Sequence, residues 1–162
     1  MSGNDQVANV DVFLILRDRT GRLLLGLRAA HVYSGGQWNV VSGKADTGED
    51  VVTAVIREAG EEAGLALTES DLTPAAVVHY FNADRRPRVG FGFHVLHDPV
   101  RHGPVRNAEP HKCDVLGWYP PDALPQPLER YTAAVLAASV APVPITVAGW
   151  PRQRPASPAH RP

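Results

Sequence analysis

Between Asp50 and Ala63 the chain carries a strongly two-sided segment. Val52, Val55, Ile56, Ala59 and Ala63 recur at steps of three and four residues, and at roughly 100° per residue they form one apolar stripe on an α-helix. Glu58, Glu61 and Glu62 follow the same helical spacing and form a second cluster, centred roughly 120° from the first. Gly64 follows, and a glycine in the left-handed conformation commonly ends a helix. A helix from about Glu49 to Ala63 therefore has one side to bury and three carboxylates beside the buried edge.

The neighbouring segments read as strands. VDVFLIL at 10–16 is a nearly continuous apolar run, as in a strand buried on both faces. A turn at Asp18–Gly21 leads to LLLGLR at 23–28, and the two strands predict a hairpin. Trp38–Val41 is a brief strand, and 43–48 is a loop into the helix. AAVVHYF at 75–81 and VGFGFHVL at 89–96 predict a second hairpin around the basic loop NADRRPR. Residues 98–112 read as loop and CDVLGWY at 113–119 as a strand. Pro127 then opens a second helix with Leu128, Tyr131, Val135 and Leu136 on its apolar side. Hairpins with two separated helices give an α+β class with a layered, mixed β-sheet.

Composition narrows the rest. One cysteine, Cys113, excludes an internal disulfide framework and any multi-cysteine zinc module. The net charge of −1 gives no general reason to expect a stable nucleic-acid complex or membrane binding. No apolar run approaches the roughly 18 residues that span a bilayer, and the start MSGNDQ lacks signal-peptide shape. A soluble, cytoplasmic protein is expected, with one domain over 1–141. Residues 142–162 hold 6 of the 15 prolines and three arginines without an acid. They read as a Pro-rich, flexible C-terminal tail, with Trp150 as the residue able to pin it back.

The three glutamates conflict with local physics. Like charges at helical neighbour spacing repel, and they lie toward the helix C-terminus, where the dipole disfavours negative charge. A divalent cation would reverse both penalties, and oxygen-only ligands favour Mg²⁺ or Mn²⁺. The alternative is a solvated acidic face on which Arg57 pairs Glu61.

The surroundings decide between them. From Gly43 to Leu65 the chain reads GKADTGEDVVTAVIREAGEEAGL. Gly43, Glu49, Arg57, Glu58, Ala59, Glu61, Glu62, Gly64 and Leu65 stand where the 23-residue Nudix box requires them, and the chain resembles the Nudix hydrolase superfamily, of the small MutT-like kind. The departure is Val41-Ser42, where many relatives have Pro-Gly. A phosphate-binding P-loop at Gly43-Lys44 is rejected, because Trp38 and Ala45 occupy its other fixed places.

The resemblance implies a Nudix-type α/β/α sandwich and a Mg²⁺-dependent enzyme, with Mn²⁺ as the other candidate ion. Its reaction would cleave a nucleoside di- or triphosphate, or a nucleoside diphosphate-linked compound, by water attack on phosphorus. Glu58, Glu61 and Glu62 would ligate metal, with Glu58 favoured as base. The Ser42 carbonyl and Glu109, in AEPHKC, are further ligand candidates. Arg57 would pair Glu49 and aim the carboxylates, with Gly43 among the supporting residues. Arg28 and Lys44 would meet the substrate. The partner is a nucleotide-type small molecule and the assembly a monomer or homodimer. Dinucleoside polyphosphate or ADP-ribose hydrolysis and a non-catalytic nucleotide-sensing domain are the alternatives. Tyr80, at a place where relatives acting on ADP-ribose often carry proline, speaks against ADP-ribose.

Weaker candidates have ordinary explanations. Arg85, Arg86, Arg88, Arg101 and Arg106 could steer an anion but suit solvated loops. His94 and His97 are three steps apart on a strand and point to opposite faces. His111 and Cys113 are two ligands, short of a zinc site. His79 and Phe81 share a strand face and suit core packing.

Overall fold

A central strand, β1 (Asn9–Arg17), is wrapped on both faces in the computed structural model, which describes residues 8–151. Its side chains alternate as the pleat requires. Val12, Leu14 and Leu16 enter one hydrophobic cluster, and Phe13 and Ile15 enter another on the opposite face. The first cluster is closed by α1 (Val51–Ala63) and the second by α3 (Arg130–Ala138). This is the α+β sandwich expected from a strand with apolar residues on both sides.

The remaining strands are β2 (Leu23–Arg28), β3 (Trp38–Asn39), β4 (Val41–Lys44), β5 (Thr73–Phe81), β6 (Pro87–Leu96), β7 (Cys113–Tyr119) and β8 (Thr146–Ala148). The main path of the sheet runs β3-β2-β1-β6-β5-β8, with β4 on β1 and β7 on β2. β1 and β6 are parallel over their length, from Asn9↔Arg88 to Arg17↔Leu96. β5 and β6 form the second hairpin as expected. The first hairpin is reduced to one pair, Arg17↔Leu23. β4 takes most of that edge of β1, pairing Asp11↔Lys44 through Leu14↔Val41, and β2 turns to pair with β7.

Local chemistry explains the helix ends. The Asp50 carboxylate accepts from the Val52 and Thr53 N–H groups, each at 2.9 Å, so Asp50 caps α1. Gly64 closes it at φ 68°, its N–H reaching the Ala59 and Gly60 carbonyls. The second helix begins later than Pro127. The Trp38 N–H donates to the Pro127 carbonyl and the Glu129 N–H to the Trp38 carbonyl, at 2.9 and 2.8 Å. Extended pairing thus holds 127–129, and the Glu129 carboxylate caps α3 instead. The expected loop at 98–112 contains a short helix, α2 (Pro99–His102), capped by Asp98.

The expected irregular stretch from 142 is also corrected. β8 lies parallel to β5, and the Trp150 Nε1–H donates to the His79 carbonyl at 3.2 Å. The Trp150 ring sits 4.6 Å from His79 and 4.7 Å from Phe81. Between Pro144 and Pro151 every residue keeps its amide, enough for a short edge strand with proline confined to its flanks. The rest of the proposed tail, 152–162, and the polar start lie outside the described residues. No helix among the described residues is long and apolar enough to cross a membrane.

Candidate active site

The site grows from one close approach. Gly43 on β4 faces α1 so tightly that a Cβ there would lie 1.9 Å from Glu58 Oε1. Only a residue without a side chain lets the strand and that carboxylate share the space. Strand alternation then sends Lys44 to the other face. Its side chain is exposed and does not line the cleft, so Lys44 is not brought to the site as expected. Its carbonyl accepts from Arg57 Nη2 at 2.9 Å.

Arg57 fastens the loop to the helix. Its Nε and Nη2 donate to the two oxygens of Glu49, both at 2.9 Å. Its Nη1 donates to Glu58 Oε1 at 2.8 Å and Glu61 Oε2 at 3.1 Å. The pairing with Glu49 and the pairing with Glu61 therefore exist together. Glu49 keeps Arg57 protonated, and Arg57 holds the Glu49 carboxyl below its usual range.

Glu58, Glu61, Glu62 and Glu109 open onto one cleft of about 410 Å³, with Arg28, Ser42 and Lys112 on its walls. Glu62 is partly buried, and loss of solvent lifts its carboxyl to about 8. The Ser42 N–H, donating to Glu62 Oε2 at 3.1 Å, opposes that shift, while Glu58 and Glu109 add to it. Burial raises Glu58 as well, against the pull of Arg57. Arg28 donates from Nε to the Tyr33 carbonyl at 2.7 Å. Lys112 Nζ meets Glu109 Oε1 at 2.7 Å. Lys112 was missed as a site residue, although it stands three residues after Glu109.

The other arginine candidates lie outside this cleft, with Arg85 and Arg86 exposed on the β5–β6 turn. Arg88 pairs with the buried Asp11, Arg101 with Asp71, and Arg106 packs over Gly64. His79 and Phe81 hold Trp150, and Tyr80 stacks on Tyr131 at 4.2 Å in the core. A larger cleft of about 490 Å³ lies at the far end of β1 and β6, with Arg17, Asp71, His97 and His102 on its walls. There His102 Nε2 lies 3.3 Å from Asp71 Oδ1, the Asp98 N–H donates to His102 Nδ1 at 3.1 Å, and His97 Nε2 meets the Gly103 carbonyl at 2.9 Å.

A divalent ion can be tested against the donor set. Among the described residues no three His, Cys, Asp or Glu side chains are placed to hold a metal as they stand. Arg57 draws oxygens of Glu58 and Glu61 to itself. The chemistry nevertheless fits. Four carboxylates share the cleft, Glu62 carries a strong desolvation penalty, and every acidic donor is oxygen, the preference of a hard cation. Arg57 takes one oxygen from each of Glu58 and Glu61, and the second oxygen of each is left for a cation.

Comparison with known proteins agrees with the geometry. The NUDIX domain family model matches residues 7–138. The chain is 29% identical over 135 residues to the CTP pyrophosphohydrolase of Escherichia coli, covering 82% of this chain and 92% of that one. The crystal structure of a MutT NUDIX hydrolase from Burkholderia pseudomallei superposes with a TM-score of 0.71 at 32% identity, covering 82% of this chain and 98% of that chain. The solution structure of the Escherichia coli ORF135 protein gives a TM-score of 0.65 at 27% identity, covering 81% of this chain and 87% of that chain. With the box intact on α1 and the family matched across most of its length, the chain belongs to the Nudix family and is a MutT-like Nudix pyrophosphohydrolase.

Proposed function

We propose that this protein uses Mg²⁺ to hydrolyse a nucleoside di- or triphosphate at its pyrophosphate, by attack of water on phosphorus. The supporting observation is the cleft itself, whose walls carry Glu58, Glu61, Glu62 and Glu109 together with Arg28 and Lys112. Carboxylates that crowded reject an anionic substrate unless cations intervene, and two basic side chains on the same walls suit phosphate oxygens. A bound divalent ion supplies charge neutralisation at phosphate and a water of lowered pKa.

The chain's own residues do the rest. Glu58, Glu61 and Glu62 carry the ligating oxygens, with Glu109 and the Ser42 carbonyl as additional donors. Glu58 is assigned as the base, the role the family resemblance favours for it, and its carboxylate opens onto the same cleft as Glu61 and Glu62. Arg57 and Glu49 hold the box loop in register with α1. Arg28 and Lys112 orient the phosphates, which shields the substrate charge from Glu109.

CTP is the first substrate to test, because the Escherichia coli relative is a CTP pyrophosphohydrolase. A turnover screen over nucleoside triphosphates, diphosphates and nucleotide-sugars with Mg²⁺, both products identified, tests this reading. Release of pyrophosphate and a nucleoside monophosphate from a triphosphate is the expected result. Nucleotide binding without turnover of any compound would replace the enzyme with a sensing domain.

A further inference from the structure

The loop between α2 and β7 is tied to α1 through the backbone. The Arg106 N–H donates to the Ala63 carbonyl at 3.0 Å, and the Ala108 N–H to the Glu62 carbonyl at 3.1 Å. Helices leave their last carbonyls without internal partners, and here the loop satisfies two of them. Gly64 allows this approach, since a Cβ there would lie 2.4 Å from Arg106 Nε.

The other end of the loop is held by a backbone bond, from the Ala29 N–H to the Lys112 carbonyl at 2.8 Å, and by one side chain. Asn107 Nδ2 donates to the Cys113 carbonyl at 2.7 Å. Inside this closure the Glu109 carbonyl accepts from the Lys112 and Cys113 N–H groups, at 2.9 and 3.0 Å. Cys113 is also where the β2–β7 register breaks, from Leu27↔Val115 to Arg28↔Cys113. That irregularity lets Cys113 and Leu116, three residues apart, line the same cleft. Bulged strands leave backbone groups off the ladder, and Asn107 engages one beside this break. The side-chain Oδ1 of Asn107 is buried with no partner. The donor nitrogen is therefore the atom this position uses.

We propose that Asn107 is a positioning residue for the metal end of the cleft: by clamping the Cys113 carbonyl it holds the Glu109 carboxylate and the Lys112 ammonium against Glu62. The inference rests on Glu109 being a metal ligand, as read under Proposed function.

The test measures Mg²⁺ affinity by calorimetry on the substrate-free protein, with kcat and KM alongside. The proteins are wild type, Asn107→Ala, Asn107→Asp, Glu109→Gln and the Asn107→Ala/Glu109→Gln double variant. Asn107→Asp keeps the shape and sets an acceptor against the Cys113 carbonyl; its added charge by itself favours Mg²⁺, so a loss of affinity there carries the comparison if the alanine variant fails to fold. Loss of a direct partner of a metal ligand weakens metal binding by about 10- to 100-fold; Asn107 acts on Glu109 one step further out, through the Cys113 backbone, and both Asn107 variants are expected to lose less, about 3- to 10-fold. On the Glu109→Gln background the alanine change is expected to add less than about twofold, because contributions through one group do not add. Unchanged affinity in both Asn107 variants, or the same loss on both backgrounds, would overturn the positioning role. Glu109→Gln with wild-type affinity would overturn the Glu109 assignment itself, and the inference with it.

Discussion

Gly43→Ala offers a sharp steric test of the site. The added Cβ would lie 1.9 Å from Glu58 Oε1, 2.0 Å from Cδ and 2.6 Å from Oε2. The strand cannot yield, so the Glu58 carboxylate must, at the expense of its bond to Arg57. Gly43 is fixed by its pairing with Val12. The Glu58 side chain is 12% exposed and held by Arg57 Nη1 at 2.8 Å. To reach even a tight 3.0 Å contact the carboxylate must shift by at least about 1 Å, and a displacement of about 1 Å at reacting groups costs about 100-fold in rate. Overpacking costs about 1–3 kcal/mol, and each kcal/mol lowers Tm by about 2–4 °C for a chain of this length. The variant should therefore stay folded at 25 °C, melt about 2–12 °C lower and lose about 100-fold in kcat. Steady-state product release and calorimetric melting measure both. A kcat within about 3-fold of wild type, equivalent to under about 1 kcal/mol of barrier, would refute the claim that Gly43 makes room for a working Glu58.

Two further outcomes follow from the same fold. Trp150→Ala should lower stability by about 1–3 kcal/mol, less than a fully buried tryptophan loses, and truncation after Ala141 should cost at least as much; a truncated protein that melts like wild type would show that β8 and Trp150 contribute nothing. The Thr68 backbone N–H, then the Thr68 hydroxyl, His102 and Arg101, hold the Asp71 carboxyl down to about 2. Its folded value is depressed, so its stabilisation is present above the ordinary value of 3.8 and lost as pH falls through about 2. The stability gap between wild type and Asp71→Asn should stay level from neutral pH to mild acid and shrink below about pH 4, in urea melts; a gap that widens on acidification would contradict the assignment.

Segments with strong local signals were legible in the sequence. β2 and β7 occupy the expected spans, and α1 shows its stripe, its carboxylates and its Gly64 cap. The Arg57–Glu49 pair came from the family resemblance, and Arg57–Glu61 from helical spacing. What escaped depends on distant partners. β8 forms because β5 offers an open edge, and nothing within a proline-dense segment announces that edge. Residues 127–129 stay extended because Trp38 pairs with them across the fold. Lys44 fell on the wrong face because one residue of strand register decides which side chain meets the helix. Lys112 gains meaning only when its loop closes over α1 and sets it beside Glu109.

The central claim is that the crowded carboxylates exist to hold a divalent ion. Its most direct test is the Mg²⁺-induced shift in Tm for wild type, Glu61→Gln and Glu62→Gln. Gln has nearly the same shape and similar helix propensity and removes one charge from a self-repelling cluster. Without metal, Glu62→Gln should be as stable as wild type or more so, since the carboxylate it replaces is partly buried with a single N–H partner. Glu61, which is 52% exposed beside Arg57, should change little. At Mg²⁺ about 100 times its Kd, wild type should gain about 2.7 kcal/mol, or about 5–11 °C, and each variant should lose most of that gain. Variants that gain as much from Mg²⁺ as wild type would show that this face of α1 is not a metal site.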